Sequence, residues 1–320
     1  MPTLDPPALI DAIVNRLQAG YIFPDRAAEA ERLLRANLEA GRYGSRVDEQ
    51  LCDRINEDLL TACADKHLRL IWHVASEDTG ESPKSDDELI AALREMFRVE
   101  NYGIRRVERL PGNVGLIALT LIPEAATAGE AMAAAMRLIS HTHGLILDLR
   151  AARGGAPDGV AFVASFLFPD GETRLSDVIE GPHGPARQFW TSGYLPGPRY
   201  LHRPVFVLVS GTTFSGGEAL AYDLQALGRA TIVGEVTRGG AHPSSVLSLG
   251  DNVELRLPVA RTVNPVTGTD WEAVGVQPDT AVPAEKALET AHAAILDQLL
   301  NSADTPAPVR EEARLARAGL

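Results

Sequence analysis

A strand that runs directly into a helix, over residues 204–228, constrains the fold of this chain more than any other feature. Its sequence is PVFVLVSGTTFSGGEALAYDLQALG, and the apolar run at 205–209 is too short for a core helix but typical of a buried strand. A small-residue turn follows, and an Ala- and Leu-rich helical pattern then extends to Leu227. Ser215 therefore lies at a strand-to-helix junction, with Glu218 three residues later as in a capping box.

Such a junction has two chemical interpretations. A serine at a helix start is usually an N-cap, which satisfies one backbone amide. The free amides and the positive end of the helix dipole also stabilise developing negative charge, as a nucleophile needs. The segment by itself leaves both interpretations open, so the case for catalysis must come from the rest of the chain.

The remaining pattern predicts an α/β protein. Apolar residues recur at helical spacing from Leu9 to about Asp65, and we expect an N-terminal helical domain over residues 1–66. Strand and helix patterns then alternate, which predicts a mainly parallel sheet with helices on both faces over residues 67–302. A helical tail covers residues 303–320. Residues 76–84 and the Gly- and Pro-rich stretch 181–204 are predicted as loops, the latter either walling the site or simply connecting two strands.

Composition excludes several functional classes. The net charge of −13 is spread along 320 residues without a basic run, which argues against a nucleic-acid partner. No apolar run approaches the length of a membrane span, and the first residues lack the pattern of a secretory leader, so we expect a cytoplasmic protein. Cys52 and Cys63 fall in one predicted helix without zinc spacing, and we predict neither a metal nor a cofactor.

Three further segments carry polar or glycine-rich sequence. They are DKH at 65–67, DLRAARGG at 148–155 and NPVTGTDWEAVGVQPD at 264–279. The second lies at the carboxyl end of a predicted strand, where the sites of open α/β sheets collect. Glycines there let the backbone approach a ligand, and their amides can serve as oxyanion donors.

Together these segments resemble the C-terminal processing (tail-specific) serine peptidases, and more closely the branch that contains tricorn protease and the interphotoreceptor retinoid-binding protein. DLRAARGG corresponds to the family's DLRxNxGG, residues 214–235 to its serine segment, and WEAVGVQPD to its (E)xxGVxPD signature. GYIFPDRA in the helical part and the DKH step also resemble the retinoid-binding branch. The resemblance covers most of the chain and implies a crotonase/ClpP-like sheet domain.

The resemblance also implies roles for individual residues. It places the nucleophile at Ser215, the activating histidine at His67 and the carboxylate that completes the arrangement at Glu272. The oxyanion hole falls on Gly155 and Gly216, with Gly154 adjacent. This set is chemically coherent, because a serine hydroxyl needs a base, imidazole titrates near neutrality, and a third polar group fixes its tautomer.

The chain departs from the family at several positions. Gly240 stands where the Ser-Lys members carry their lysine, which leaves a histidine as the base. Lys66 stands where the tricorn type has an accessory serine, and the stretch between Trp72 and Tyr102 is too short for a PDZ insert. His242 is a second candidate, as an alternative base or a substrate contact.

The favoured hypothesis is a serine peptidase that acts on a peptide through an acyl-enzyme. A binding protein for an apolar, retinoid- or lipid-like ligand is the first alternative, because the resemblance implies that this scaffold also serves such a role. Acyl transfer or ester hydrolysis on a small molecule is the second. The sequence leaves the oligomeric state open, with a homo-oligomer among the alternatives.

Overall fold

A computed structural model describes residues 4–73, 86–250 and 252–319. The chain divides into two compact units. The first unit comprises Met1–Glu81, Asp177–Arg187 and Gly240–Val263, and the second comprises Ser82–Ser176, Gln188–Gly239 and Asn264–Leu320. The loop predicted at 76–84 lies outside the described residues. Within these residues, no helix is long and apolar enough to cross a membrane.

The helices and strands follow one another in chain order. They are α1 Pro6–Gly20, α2 Pro24–Glu39, α3 Glu49–Cys63, β1 Arg69–Trp72, α4 Asp86–Val99, β2 Ile104–Leu110, β3 Val114–Leu119, α5 Ala125–Ile139, β4 Gly144–Asp148, α6 Pro157–Ser165, β5 Arg174–Glu180, β6 Ala186–Trp190, β7 Val205–Val209, α7 Gly216–Ala226, β8 Thr231–Gly234, β9 Ser244–Gly250, β10 Val253–Pro258, β11 Ala260–Val263, β12 Thr280–Ala281, α8 Ala287–Asn301 and α9 Ala307–Ala318.

The first unit packs helices α1 to α3 against a small antiparallel sheet. Capping defines the helix starts: the Asp5 carboxylate accepts the Ala8 N–H at 2.9 Å, and the Asp48 carboxylate accepts the Leu51 N–H at the same distance. The sheet has the order β1-β10-β9, and Leu70 stands opposite Leu255 in its register. The apolar faces of the helices and of this sheet share one buried cluster. Strand β1, which the sequence assigns to the sheet domain over 67–302, therefore belongs with the helices, because its partner β10 returns from far along the chain.

The second unit is built on a six-stranded sheet. The strand order is β12-β8-β7-β4-β3-β2, and every neighbouring pair is parallel except the β2–β3 hairpin. This arrangement confirms the mainly parallel α/β sheet that the alternating pattern predicts. It also places the carboxyl ends of β4 and β7 side by side, since Asp148 pairs with Leu208 in the register. The segments that follow these two strands carry the predicted glycines and Ser215.

Both faces of the six-stranded sheet are buried. Leu116 joins a cluster with Ile295 of α8 on one face, while its neighbour Ile117, which points to the opposite face, is equally inaccessible to solvent. The C-terminal helix α9 contributes Val309 and Ala313 to the same cluster as α8. The tail is thus part of the packing of this unit, because the apolar face of an amphipathic helix points inward.

One predicted loop contains a strand. The stretch 181–204 holds β6, Ala186–Trp190, which lies next to β5 in a three-stranded sheet. The prediction of an irregular connection was wrong here because β6 exposes four of its five residues, so no alternation of apolar residues marks it. The unit boundaries also differ from the predicted segments, because long-range strand pairing brings residues 240–263 to the N-terminal helices.

Candidate active site

Ser215 occupies a strained backbone position at the start of α7. Its dihedral angles are φ 51° and ψ −118°, a conformation that residues with a Cβ adopt rarely. The strand β7 ends at Val209, the turn 210–214 reverses the chain, and the helix begins at Gly216. Strain of this kind costs on the order of 1–3 kcal/mol and concentrates at functional sites. The half-buried Ser215 is thus held on a sharp strand-to-helix turn, as the nucleophile of a hydrolase is.

Two glycine amides meet beside this turn. Ile122 forms a parallel bridge with Gly155, in which the Ile122 N–H binds the Gly154 carbonyl and the Ala156 N–H binds the Ile122 carbonyl. In such a bridge the N–H of the central residue, Gly155, points away from Ile122. Within the described residues, neither the Gly155 N–H nor the Gly216 N–H donates to an acceptor. These amides have the free donors that an oxyanion hole requires.

The glycines are required by close packing. A Cβ on Gly216 would lie 2.6 Å from the Gly155 nitrogen, so the two backbones touch directly. Gly154 has φ +146°, and a Cβ there would lie 3.5 Å from the Ser215 Cβ and 3.8 Å from its Oγ. The structure therefore brings together four residues that the sequence predicts for this site: Ser215, Gly154, Gly155 and Gly216.

A buried carboxylate fixes the segment that carries Ser215. Glu218 is fully buried, and its Oε2 accepts the Ser215 N–H at 2.8 Å, which is the capping interaction that the sequence predicts. Its Oε1 accepts the Thr237 hydroxyl at 2.5 Å and the Gly239 N–H at 2.6 Å. These two bonds tie the turn that carries Ser215 to the loop after β8. The sequence gives no signal for them, because they join residues about 20 positions apart.

Glu272 lies on a turn that reaches the same loop. The Ala273 N–H donates to the Gly239 carbonyl at 3.3 Å, and the buried Trp271 ring lies 5.3 Å from the Tyr222 ring on α7. The Glu272 N–H donates to an Asp270 carboxylate oxygen at 2.7 Å, and its side chain is half-buried. The structure thus anchors the Glu272 turn to α7 and to the Glu218 network, within the unit that contains Ser215.

His67 and His242 belong to the first unit. His67 is buried, and this burial, together with the positive charges of His242, Arg69 and Arg256, lowers its pKa to about 4, although Asp65 acts in the opposite direction. His242 is also buried, and its Nδ1 lies 2.8 Å from Asp65 Oδ2.

The assignment of the base is therefore still a prediction. Ser215, Glu272 and the glycines lie in one unit and both histidines in the other, so the pairing of Ser215 with His67 rests on the resemblance and on chemistry. Sequence reasoning missed Asp65 and the wider role of Glu218. The DKH step contains Asp65, but its partner His242 lies 177 residues away along the chain.

Comparisons with known proteins agree with this geometry. The family model for Peptidase family S41 matches residues 113–282, and the model for the N-terminal domain of this peptidase family in eukaryotic IRBP matches residues 5–108. The chain is 31% identical over 205 residues to carboxyl-terminal-processing peptidase 2, chloroplastic, of Arabidopsis thaliana, an alignment that covers 62% of this chain and 38% of the relative. The chain thus spans well under half of that relative's length.

Solved structures show the same fold. The photosystem II D1 C-terminal processing protease superposes with a TM-score of 0.53 at 17% identity, over 94% of this chain and 98% of that one. Tricorn protease superposes with a TM-score of 0.57 at 14% identity, over 96% of this chain and 37% of that one. The S41 model covers more than half of the sequence and includes the strained serine and its glycine amides. This chain is a member of peptidase family S41.

Proposed function

We propose that the protein is a serine peptidase that cleaves its substrate through an acyl-enzyme on Ser215. The observation that carries the proposal is the strained Ser215 beside two free glycine amides. A backbone strain of about 1–3 kcal/mol persists only where the surroundings enforce it. A protein that merely holds an apolar ligand gains nothing from this strain, so the binding alternative is not favoured.

The proposed reaction has two steps. The Ser215 Oγ attacks the substrate carbonyl carbon while His67 takes its proton, and the new oxyanion is held by the Gly155 and Gly216 amides, with Gly154 leaving room beside the hydroxyl. His67 then protonates the leaving amine, which departs and leaves an ester on Ser215. Water then attacks that ester while His67 takes one of its protons; the return of this proton to the Ser215 Oγ restores the serine and releases the carboxylic acid product. Glu272 orients or polarises the reacting groups of Ser215 and His67, a role that rests on the resemblance.

Gly240 supports a histidine in the role of base. The position carries no side chain that could replace the lysine of a Ser-Lys dyad. Of the two histidine candidates, His67 matches the tricorn type in sequence, and it is neutral above pH about 4, so its ring can accept a proton near neutrality. A cytoplasmic location is still a prediction, which cell fractionation would test.

The experiment compares peptide and ester substrates on the full chain. We expect the wild type to hydrolyse members of a mixed peptide library, with new termini identified by mass spectrometry, and Ser215→Ala to release none of them. Turnover of activated esters without any peptide cleavage would favour the small-molecule acyl chemistry instead. Cleavage that persists in Ser215→Ala would remove Ser215 from the reaction. Co-purification of an apolar ligand at equal levels with both proteins, with no hydrolysis by either, would favour the binding role.

A further inference from the structure

A buried carboxylate joins three separate segments of the first unit. Asp65 follows α3, whose helix ends at Ala64 in the left-handed conformation, and it is completely inaccessible to solvent. Its Oδ2 accepts the Tyr21 hydroxyl at 3.1 Å and lies 2.8 Å from the Nδ1 of His242. Its Oδ1 accepts the backbone N–H of His67 at 3.0 Å. One side chain thus holds the end of α1, the backbone of the proposed base and the second histidine.

The chemistry of these contacts defines the state of His242. An ionised carboxylate is an acceptor only, so the Nδ1 of His242 must carry the hydrogen of this bond. Burial by itself raises the pKa of Asp65, but the hydrogen bond and the positive charge of His242 lower it below its usual value overall. The Phe23 ring packs 5.2 Å from the His242 ring and limits its movement. The carboxylate therefore holds a proton on the Nδ1 of His242 and fixes the orientation of its ring.

A purely structural explanation accounts poorly for this arrangement. A buried ion pair is often no more stabilising than apolar residues of the same volume, because both charges lose their hydration. Buried groups with mutually perturbed titration are instead enriched at functional sites. The group beside them here is His67, whose backbone N–H donates to Asp65 at 3.0 Å and whose pKa responds to the charges of Asp65 and His242.

We propose that Asp65 and His242 form a positioning pair for His67, in which Asp65 fixes the backbone of the base and both side chains set its electrostatic environment. The inference rests on the proposed function, in which His67 takes the proton of Ser215. The negative charge of Asp65 favours the protonated form of His67, and the positive charge of His242 opposes it. The two partners therefore act on the base in opposite directions.

The test measures the rate of fluorophosphonate labelling of the full chain as a function of pH. We expect Asp65→Asn and His242→Gln each to lower the plateau rate at least tenfold. The acid limb of the profile should move to lower pH in Asp65→Asn and to higher pH in His242→Gln. Asp65→Glu retains the charge, so its acid limb should stay near that of the wild type although its plateau falls.

Asp58→Asn is the matched control. Asp58 is a half-buried carboxylate of the same unit that accepts the Tyr43 hydroxyl at 2.7 Å and the Asn37 amide at 2.8 Å. Its loss should leave both the plateau rate and the acid limb within twofold of the wild type. A purely structural Asp65 would behave as Asp58 does, so profiles of Asp65→Asn and His242→Gln that match the control overturn the proposal.

A second readout separates this proposal from the assignment of Ser215. Histidine NMR on the full chain follows the titration of His67 directly and needs no labelling. If the wild type is never labelled, the proposed function fails. Opposite shifts of the His67 titration in Asp65→Asn and His242→Gln would still support the positioning pair, and an unshifted titration would refute the pair. If Asp65→Asn does not fold, the wild type should still show a far-downfield imidazole N–H signal that His242→Gln removes. Absence of that signal overturns the pair.

Discussion

Substitution of Gly216 by alanine should lower kcat strongly through a clash at the oxyanion site. The new Cβ would lie 2.6 Å from the Gly155 nitrogen, 2.7 Å from its Cα and 2.8 Å from its oxygen. Carbon atoms in contact normally stand about 3.5–4.0 Å apart, so the two backbones must separate by about 1 Å. An oxyanion donor works only within about 2.7–3.1 Å of the charged oxygen, and losing one donor costs about 10²–10³ in kcat. We expect a loss in that range and a destabilisation of about 1–3 kcal/mol from overpacking.

The assay is steady-state hydrolysis of a peptide that the wild type cleaves, with urea denaturation to confirm folding. Gly193→Ala is the matched control, because a Cβ there meets nothing within 4 Å and its backbone φ is not positive. That variant should retain wild-type kcat and stability. A folded Gly216→Ala protein with wild-type kcat would refute the assignment of the Gly155 and Gly216 amides to the oxyanion hole.

Three other predictions concern strain, titration and the buried carboxylate. Glycine tolerates φ 51°, so Ser215→Gly should be more stable to urea than Ser215→Ala by about 1 kcal/mol, whereas alanine is ordinarily the more stabilising of the two residues. Equal stabilities of the two variants would argue against strain at this residue. The pKa of His67 is about 4 in the folded chain and 6.5 ordinarily, so the unfolded chain takes up the proton first as pH falls. The free energy of unfolding of the wild type relative to His67→Gln should therefore fall by about 3 kcal/mol between pH 7 and pH 4, at about 1.4 kcal/mol per pH unit. A difference between the two proteins that does not change with pH would contradict the burial of His67. Glu218→Gln places an amide where the Ser215, Thr237 and Gly239 donors converge, so thermal denaturation should show a loss of stability of about 1–3 kcal/mol, and kcat should fall. Wild-type stability and kcat would show that the hydrogen bonds of Glu218 do not position Ser215.

Local patterns predicted the core of this fold because they are strong where both faces of a strand are buried. The apolar run at 205–209 and the helix pattern after it identify β7 and α7, and hence the junction at Ser215. The exposed strand β6 has no such pattern. The pairing of β1 with β10 joins Arg69 to Arg256, and no local sequence feature records a partner so far along the chain.

The sequence also predicted which segments form the candidate site, but not the contacts between distant residues. Glycines after β4 and a serine after β7 point to the carboxyl edge of the sheet, and the structure brings them together. The backbone strain of Ser215 was not predictable, because it results from the packing of the turn. The bond between Asp65 and His242 was not predictable either, since a single sequence holds no record of which distant polar residues meet.

The most direct test of the central claim is the site at which a fluorophosphonate modifies the protein. Intact-mass analysis of the wild type should show one adduct, and peptide mapping should place it on Ser215. Ser215→Ala, folded by circular dichroism, should carry none. An adduct that survives in Ser215→Ala, or a folded wild type that takes up no label at any pH between 5 and 9, would contradict the account.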